Sequence, residues 1–165
     1  MTIRKANKKD FNEVLKLMHK GIYAEYSSSV VRRMMKNSYP QGWFLACLNK
    51  MIVGGIAFSS YDSYYNASIF EVSFLAVNRQ ERSRGIGKAL FNSALKSIRE
   101  KLKEKGIKLV MLFVQTDGEN KEAIGFYRSV FKRVGKVTET RIKDAWPKTW
   151  SGDKDVVFMF VRLKS

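Results

Sequence analysis

The stretch that decides the fold runs Arg79-Gln80-Glu81-Arg82-Ser83-Arg84-Gly85-Ile86-Gly87-Lys88-Ala89-Leu90. The apolar run Ile69–Val77 before it predicts a strand, and the amphipathic pattern after it predicts a helix to about Lys105. A glycine-bearing turn from strand to helix leaves unpaired backbone N–H groups at the positive end of the helix dipole. Because Gly85 and Gly87 lack a Cβ, an anion can approach that backbone closely. Three cations flank the glycines: Arg82, Arg84 and Lys88.

Two other phosphate-binding motifs do not fit this stretch. A dinucleotide fingerprint requires a third small residue where Leu90 stands. A P-loop requires glycine at the position of Arg82 and Ser or Thr at the position of Ala89. The remaining pattern is R-x-x-G-x-G between a strand and a helix. On these residues alone, an anion site and a plain turn with solvated arginines both stay open.

The segment Arg82-Ser83-Arg84-Gly85-Ile86-Gly87 is similar to the acyl-CoA-binding motif of the GNAT superfamily of N-acetyltransferases, Gln/Arg-x-x-Gly-x-Gly/Ala. The motif is complete here. The resemblance implies that the pyrophosphate of acetyl-CoA, as cosubstrate, binds to the backbone amides of this segment. The implied cofactor-binding residues are Arg82, Ser83, Arg84, Gly85, Ile86, Gly87 and Lys88.

The order of predicted elements indicates an α/β fold in one domain over residues 1–165. Helices are predicted over 8–20, 28–37, 84–105 and 121–130. The apolar runs 43–48 and 51–59, separated by Asn49-Lys50, predict a tight β-hairpin, and a turn is predicted over 61–66. Gly54-Gly55 in the second run predicts a bulge or a close backbone approach. The strand 69–77, the following helix and the strand 107–115 form a βαβ unit, so these strands should be parallel. Strands Arg133–Thr140 and Val156–Leu163 should close the sheet as an antiparallel pair. The resemblance to GNAT enzymes implies a mixed, mostly antiparallel central sheet with a parallel pair at the cofactor cleft and about four helices.

Cysteine, histidine and apolar content exclude several classes of protein. With one cysteine, Cys47, and one histidine, His19, the chain cannot form an internal disulfide, a cysteine cluster or the usual zinc sites, so no metal is expected. The longest apolar runs have strand length, and Met1–Lys5 lacks the apolar run of a signal peptide. We therefore expect a cytoplasmic protein with no membrane contact, as a monomer or homodimer.

The net charge of +16, from 31 Lys and Arg against 15 Asp and Glu, favours polyanionic ligands. Acetyl-CoA is one such ligand. It needs only a few cations, so an acidic macromolecule such as nucleic acid or the ribosome stays open as a second partner.

Strand alternation places Glu71 on the same face as Ile69, Ser73, Leu75 and Val77. A carboxylate among apolar neighbours is suited to accept the proton of an ammonium acceptor, although an edge position or a salt bridge is the alternative. The segment Glu71–Val77 resembles the histone-lysine-acetyltransferase branch of GNAT enzymes, which implies that Glu71 is the general base. The resemblance also implies that the backbone of Leu75, Ala76 and Val77 pairs with the pantetheine arm and polarises the thioester carbonyl.

The pattern Asn-x-x-Ala-x-x-Phe-Tyr of the family occurs as Asn120-Lys121-Glu122-Ala123-Ile124-Gly125-Phe126-Tyr127. It implies that Tyr127 is the general acid for the leaving thiolate and that Asn120 and Phe126 bind the cofactor. By periodicity alone, Tyr127 belongs to an apolar helical stripe, and packing is its default role. Two departures stand out: Gly125 in mid-helix, and Val130-Phe131 where the family has Gly-Phe one residue farther from the tyrosine.

These residues together predict an acetyl-CoA-dependent N-acetyltransferase that transfers acetyl directly to a primary amine. The acceptor is a protein lysine, a protein N-terminus or a small amine. The alternative is a non-catalytic, basic GNAT-like module that binds nucleic acid or the ribosome and uses the glycine turn for a phosphate. Glu71 and Tyr127 distinguish the two, because binding alone requires neither.

Overall fold

The computed structural model describes residues 1–19, 29, 42–64, 67–143 and 155–163. Three α-helices occur in this part of the chain: α1 Phe11–His19, α2 Ile86–Glu104 and α3 Lys121–Val134. Two short 3-10 turns cover Lys8–Asp10 and Arg79–Glu81. The strands are β1 Thr2–Lys5, β2 Trp43–Leu48, β3 Met51–Tyr64, β4 Ala67–Val77, β5 Lys108–Asp117, β6 Gly135–Ile142 and β7 Val156–Leu163.

The seven strands form a sheet of order β1-β2-β3-β4-β5-β7-β6. β4 and β5 are parallel, with a register from Ala67↔Lys108 to Glu71↔Phe113. The pairs β1–β2, β2–β3, β5–β7 and β6–β7 are antiparallel. The predicted α/β class with a mixed sheet and one parallel pair is confirmed. The predicted helix over 28–37 lies outside the described residues except for Ser29.

Three predicted boundaries are wrong, each for a local reason. β3 continues to Tyr64 where a turn was predicted over 61–66, and aromatic residues such as those in this segment favour strands. α2 begins at Ile86, because Ser83 and Gly85 have φ of 62° and 77°, outside the helical range. α3 continues to Val134, so β6 begins two residues later than predicted, at Gly135.

The beginning of β6 at Gly135 has a steric cause. A Cβ at this position would overlap the backbone carbonyl oxygen of Arg162 on β7. Its φ of 178° is ordinary extended backbone, so the requirement for glycine comes from space alone. A residue with a side chain at this position would therefore force the end of the helix and β7 apart.

By contact density the chain consists of two compact units, of which the first comprises Met1–Ser59 and Ser73–Lys101. Its core contains buried side chains of α1 and of strands β2, β3 and β4. The rings of Trp43 and Phe74 lie 4.8 Å apart between centroids. Core members are Val14, Leu15, Met18, Trp43, Leu45, Ala57 and Phe74.

The predicted tight hairpin between β2 and β3 is confirmed. Leu48 pairs with Met51, and the two intervening residues, Asn49 and Lys50, both have positive φ. Positive φ at both central residues is typical of a type I′ turn, whose twist matches that of the flanking strands.

The buried carboxylate of Asp10 accepts hydrogen bonds that link β1 to the beginning of the first helix. Arg4 donates two hydrogen bonds of 2.7 Å to its oxygens, and the backbone N–H of Asn7 donates a third of 2.8 Å. The Arg4 guanidinium is the main reason that the pKa of Asp10 lies below its ordinary value of 3.8. Because the folded pKa is the lower one, the ionised carboxylate stabilises the fold above about pH 3.8, and this contribution is lost as the pH falls through the folded pKa.

We expect Asp10→Asn to lower the free energy of unfolding at pH 7 by about 2 kcal/mol, since hydrogen bonds to a charged group contribute about 1.5–3 kcal/mol. The acid limb of the stability curve should become flatter, because the variant has no carboxylate to protonate at this site. Urea titrations between pH 2 and pH 7 measure both effects. Glu13→Gln is the control, because the Lys16–Glu13 pair is exposed on both sides and such pairs contribute little. Equal pH dependence in wild type and Asp10→Asn would contradict the assignment.

The second unit comprises Ser60–Val72 and Leu102–Ser165. Fully buried side chains of β5 and β7, among them Leu112, Val114, Met159 and Val161, form one face of its sheet. Arg128 of α3 donates hydrogen bonds of 2.8 and 2.7 Å to the carboxylate of Glu139, which lowers the pKa of that carboxyl. Glu139 pairs with Met159 in the β6–β7 register, so α3 covers the face that carries Met159.

Gly125 lies in mid-helix on α3 and is exposed. No described atom lies within 4 Å of a Cβ built there. We therefore expect Gly125→Ala to raise the free energy of unfolding by about 0.5–1 kcal/mol, because alanine loses less backbone entropy in a helix. Thermal unfolding checks this. Gly85→Ala is the matched control: its Cβ also meets open space, but its φ of 77° disfavours alanine, so the sign should reverse. Destabilisation by Gly125→Ala would show that the glycine has another role.

Candidate active site

The turn after β4 is held by backbone hydrogen bonds in the first unit. The N–H of Asn78 donates to the Val53 carbonyl at 2.8 Å, and the N–H of Glu81 donates to the Asn78 carbonyl at 2.8 Å. Val53 is the extra residue of a β-bulge, because Ala46 pairs with Gly54 and Cys47 pairs with Ile52. The bulge therefore presents the carbonyl that anchors the beginning of the turn.

The glycine segment has the backbone geometry of an anion site. The carbonyl of Gly85 accepts the N–H of Ala89 at 3.0 Å, so α2 begins directly after Gly85. The N–H groups of Ile86, Gly87 and Lys88 lie in the first helical turn, where helix geometry provides no intrahelical acceptor. Positive φ at Ser83 and Gly85 bends the preceding backbone toward this end of the helix. The dipole and the N–H groups together favour a bound phosphate.

The cations of the turn differ in their surroundings. Arg82 donates from Nε to the Val77 carbonyl at 3.3 Å, which closes the loop onto the end of β4. Arg84 forms an ion pair with Glu81, three residues earlier, and Lys88 is exposed on the first turn of α2. Glu81 was not predicted as part of the site, although its i, i+3 spacing from Arg84 was visible in the sequence. It offsets part of the positive charge that the sequence indicated.

Gly54 positions the first turn of α2. A Cβ at Gly54 would lie 3.1 Å from the Ala76 carbonyl oxygen, 3.2 Å from Leu90 and 3.4 Å from Ile86. The predicted close backbone approach in this strand is therefore confirmed. Ile86 and Leu90 are buried here, so only the outer face of the helix start is left for a ligand.

The predicted pantetheine-contacting segment is the last part of β4. Leu75, Ala76 and Val77 are half-buried. Two of their carbonyls have protein contacts, since that of Val77 accepts from Arg82 and that of Ala76 faces Gly54. Their role in binding the cofactor stays a prediction.

Glu71 lies in the second unit, where β4 is parallel to β5. It is half-buried and pairs in register with Phe113. Gln115, two residues farther along β5 and on the same face, donates from Nε2 to Oε1 of Glu71 at 3.5 Å. Sequence analysis missed Gln115, because only the β4–β5 register shows which residue of β5 lies beside Glu71.

Tyr127 is buried on α3, with 6% of its surface exposed. Its ring lies 5.3 Å from that of Phe126 and 5.9 Å from that of Phe131 between centroids. Tyr127 therefore packs on the apolar stripe of the helix, and its role as general acid stays a prediction. Since α3 covers the Met159 face, Tyr127 and Glu71 lie on opposite faces of this sheet.

The asparagine of the Asn-x-x-Ala-x-x-Phe-Tyr pattern has a structural role. Asn120 is the N-cap of α3, and its side-chain oxygen accepts the N–H of Ala123 at 3.0 Å. N-cap asparagine typically stabilises a helix by about 1 kcal/mol. The cap fixes where α3 begins and therefore the register of Phe126 and Tyr127 on the helix.

Two classes of site have no candidate in the described part of the chain. Among residues 1–19, 29, 42–64, 67–143 and 155–163, no group of three or more His, Cys, Asp or Glu side chains could hold a metal ion. Within the same ranges, no helix is long and apolar enough to cross a bilayer.

The chain matches known proteins in both sequence and fold. The model of the Acetyltransferase (GNAT) family matches residues 9–131, which is more than half of the chain. A search of curated proteins found no match.

Three solved structures illustrate the shared fold. Ard1 from Thermoplasma volcanium is 19% identical, with a TM-score of 0.73 over 99% of this chain and 98% of that one. A ribosomal-protein-alanine N-acetyltransferase from Brucella melitensis is 19% identical, with a TM-score of 0.70 over 99% of this chain and 100% of that one. Naa50 from Arabidopsis thaliana, in complex with the bisubstrate analogue CoA-Ac-MVNAL, is 19% identical, with a TM-score of 0.70 over 95% of this chain and 96% of that one.

Proposed function

The chain belongs to the acetyltransferase (GNAT) family, and on this premise we propose that it transfers acetyl directly to a primary amine with Glu71 as general base and Tyr127 as general acid. Membership of the family makes the chain an acetyl-CoA-dependent N-acetyltransferase. The residue roles and the acceptor constitute the proposal. The observation that carries it is the helix start after Gly85, whose N–H groups and left-handed residues suit a pyrophosphate.

We propose that acetyl-CoA binds with its pyrophosphate on the backbone of 82–88 and its pantetheine along 75–77. In this binding mode the pyrophosphate contacts mainly backbone N–H groups. Exposed Lys88 and Arg82 supply further charge. The ion pair of Arg84 with Glu81 holds the loop in shape, so Arg84 is a positioning residue in this proposal.

The reaction requires one acyl transfer, the loss of two protons from the acceptor nitrogen and the protonation of the leaving thiolate. The acceptor ammonium loses a proton to the carboxylate of Glu71, and the amine nitrogen forms a bond with the thioester carbon. The C–S bond then breaks, the thiolate takes a proton from the Tyr127 hydroxyl, and the nitrogen passes its second proton through solvent to the Tyr127 phenolate, which leaves an amide and free CoA. The proton on Glu71 is then released to solvent.

The acceptor is a protein lysine, a protein N-terminus or a small amine. Similarity to Naa50 in complex with a CoA-peptide analogue supports a peptide amine. The net charge of +16 disfavours strongly basic acceptors and leaves an acidic macromolecule as a further proposed partner.

Thermal shift with acetyl-CoA and thiol release with an amine panel test the proposal. At one hundred times its Kd, acetyl-CoA should stabilise the fold by about 2.7 kcal/mol. Thiol should be released only when an acceptor is present. The absence of any shift with acetyl-CoA, together with salt-sensitive binding of nucleic acid, would instead support the non-catalytic basic module.

A further inference from the structure

The sheet of the second unit has a partly exposed aromatic face beside Glu71. Glu71 pairs with Phe113, and Phe113 pairs with Phe160 of β7. Residues paired in register point to the same face. Glu71, Phe113 and Phe160 therefore form a row across three strands, on the face opposite to α3.

Phe158 extends this row along β7. The rings of Phe113 and Phe160 stack at 5.9 Å between centroids, and those of Phe158 and Phe160 stack at 6.3 Å with an interplanar angle of 9°. All three rings are half-buried, whereas Met159 and Val161, which alternate with Phe158 and Phe160 along β7 and point to the opposite face, are fully buried. Three stacked rings with accessible surface next to a carboxylate suit an organic ammonium, through apolar contact and cation–π attraction.

Two residues farther along β7 from Phe160, the same face of the sheet is positively charged. Arg162 pairs with Lys136 in the β6–β7 register, and both side chains are exposed. Like charges on paired residues repel each other, and together they repel any additional cation nearby. A ligand that places its ammonium at Glu71 therefore meets an apolar surface first and a cationic surface beyond it.

We propose that Phe113, Phe158 and Phe160, together with Glu71, form an acceptor subsite for an amine with an aromatic or large aliphatic body and no second positive charge. This inference rests on the proposed function, because Glu71 must be the group that receives the amine. It selects amphipathic monoamines, either free or as the N-terminus of a peptide that begins with a large apolar residue. It excludes polyamines and lysine-rich tails.

The test measures kcat/KM for matched acceptors. Phenethylamine is compared with ethanolamine and with a linear triamine, and a peptide that begins with phenylalanine is compared with the same peptide beginning with serine. We expect the apolar acceptor of each pair to exceed the polar one at least tenfold and the triamine to be the poorest. The small amines test whether the subsite accepts free monoamines, and the peptides test whether it accepts a peptide N-terminus.

Variants assign the preference to the rings. Phe160→Ala should lower kcat/KM for the aromatic acceptor about tenfold or more and lower that for the polar acceptor much less, so that the preference is lost. Phe158→Leu keeps apolar bulk and serves if Phe160→Ala does not fold. Arg162→Gln should raise kcat/KM for the triamine several-fold. Ile142→Ala, an exposed apolar residue at the other end of β6, is the control and should change nothing.

The outcomes separate the two proposals. Acetyl transfer with equal kcat/KM for apolar and polar acceptors, or a preference that survives Phe160→Ala and Phe158→Leu, overturns the subsite and leaves the proposed function intact. Failure of every amine to release thiol, with no thermal shift by acetyl-CoA, overturns the proposed function and the subsite with it.

Discussion

Gly87→Asp should abolish binding of acetyl-CoA while the protein remains folded. The substitution places a carboxylate in the first turn of α2, among the N–H groups proposed to bind the pyrophosphate. Two like charges about 4 Å apart near a protein surface repel by about 4 kcal/mol, which corresponds to a loss of affinity of roughly a thousandfold. An acidic residue near a helix N-terminus is favourable for the helix itself, so stability should be unchanged or slightly higher.

The measurement is a titration with acetyl-CoA by calorimetry or thermal shift. Asn92→Asp is the matched control, because it adds the same charge to an exposed position of the same helix about one and a half turns farther on. It should bind acetyl-CoA within about threefold of wild type, since two unit charges about 7.5 Å apart in water repel by only about 0.5 kcal/mol. Affinity in Gly87→Asp equal to that of the control would place the pyrophosphate elsewhere.

The anion turn could be predicted from sequence because its geometry is local. A contiguous run of six residues contains the glycine that takes positive φ, and the helix begins directly after it. Ser83, which also has positive φ, was not predicted to do so, since serine rarely adopts this conformation. The helix start was therefore placed too early, although the site itself was identified.

The surroundings of Glu71 could be predicted only in part. Alternation within β4 identified its face, because that pattern is a property of one strand. Gln115, Phe113 and Phe160 become neighbours of Glu71 only through the pairing of β4 with β5 and of β5 with β7. A register shift between Ser68 and Ile69 changes this pairing further, and no pattern in the sequence indicates it. The acceptor surface was consequently invisible before the register was known.

The pattern around Tyr127 shows how one motif combines structural and chemical requirements. Asn120 is explained by helix capping, and Tyr127 is explained in part by its burial between Phe126 and Phe131. A residue that packs well can also donate a proton, so burial alone does not assign the chemistry. Kinetics of variants that keep the packing, such as Tyr127→Phe, address the hydroxyl separately.

Glu71→Gln should lower kcat by about a hundredfold to a thousandfold at pH 7 and leave acetyl-CoA affinity within about twofold. General base catalysis typically contributes this much. Glutamine has nearly the same shape as glutamate and can still contact Gln115, which lies 3.5 Å away. The loss should therefore come from the missing proton acceptor rather than from a change of structure.

The pH dependence distinguishes a base from a residue that only shapes the site. At high pH the acceptor amine is already neutral in solution and no longer needs a base, so the deficit of Glu71→Gln should shrink as the pH rises toward the pKa of the acceptor. Glu104→Gln, which removes the same charge from an exposed position at the end of α2, should match wild type at every pH. A deficit that stays constant with pH, or a large loss of acetyl-CoA affinity, would show that Glu71 positions a substrate instead of accepting its proton.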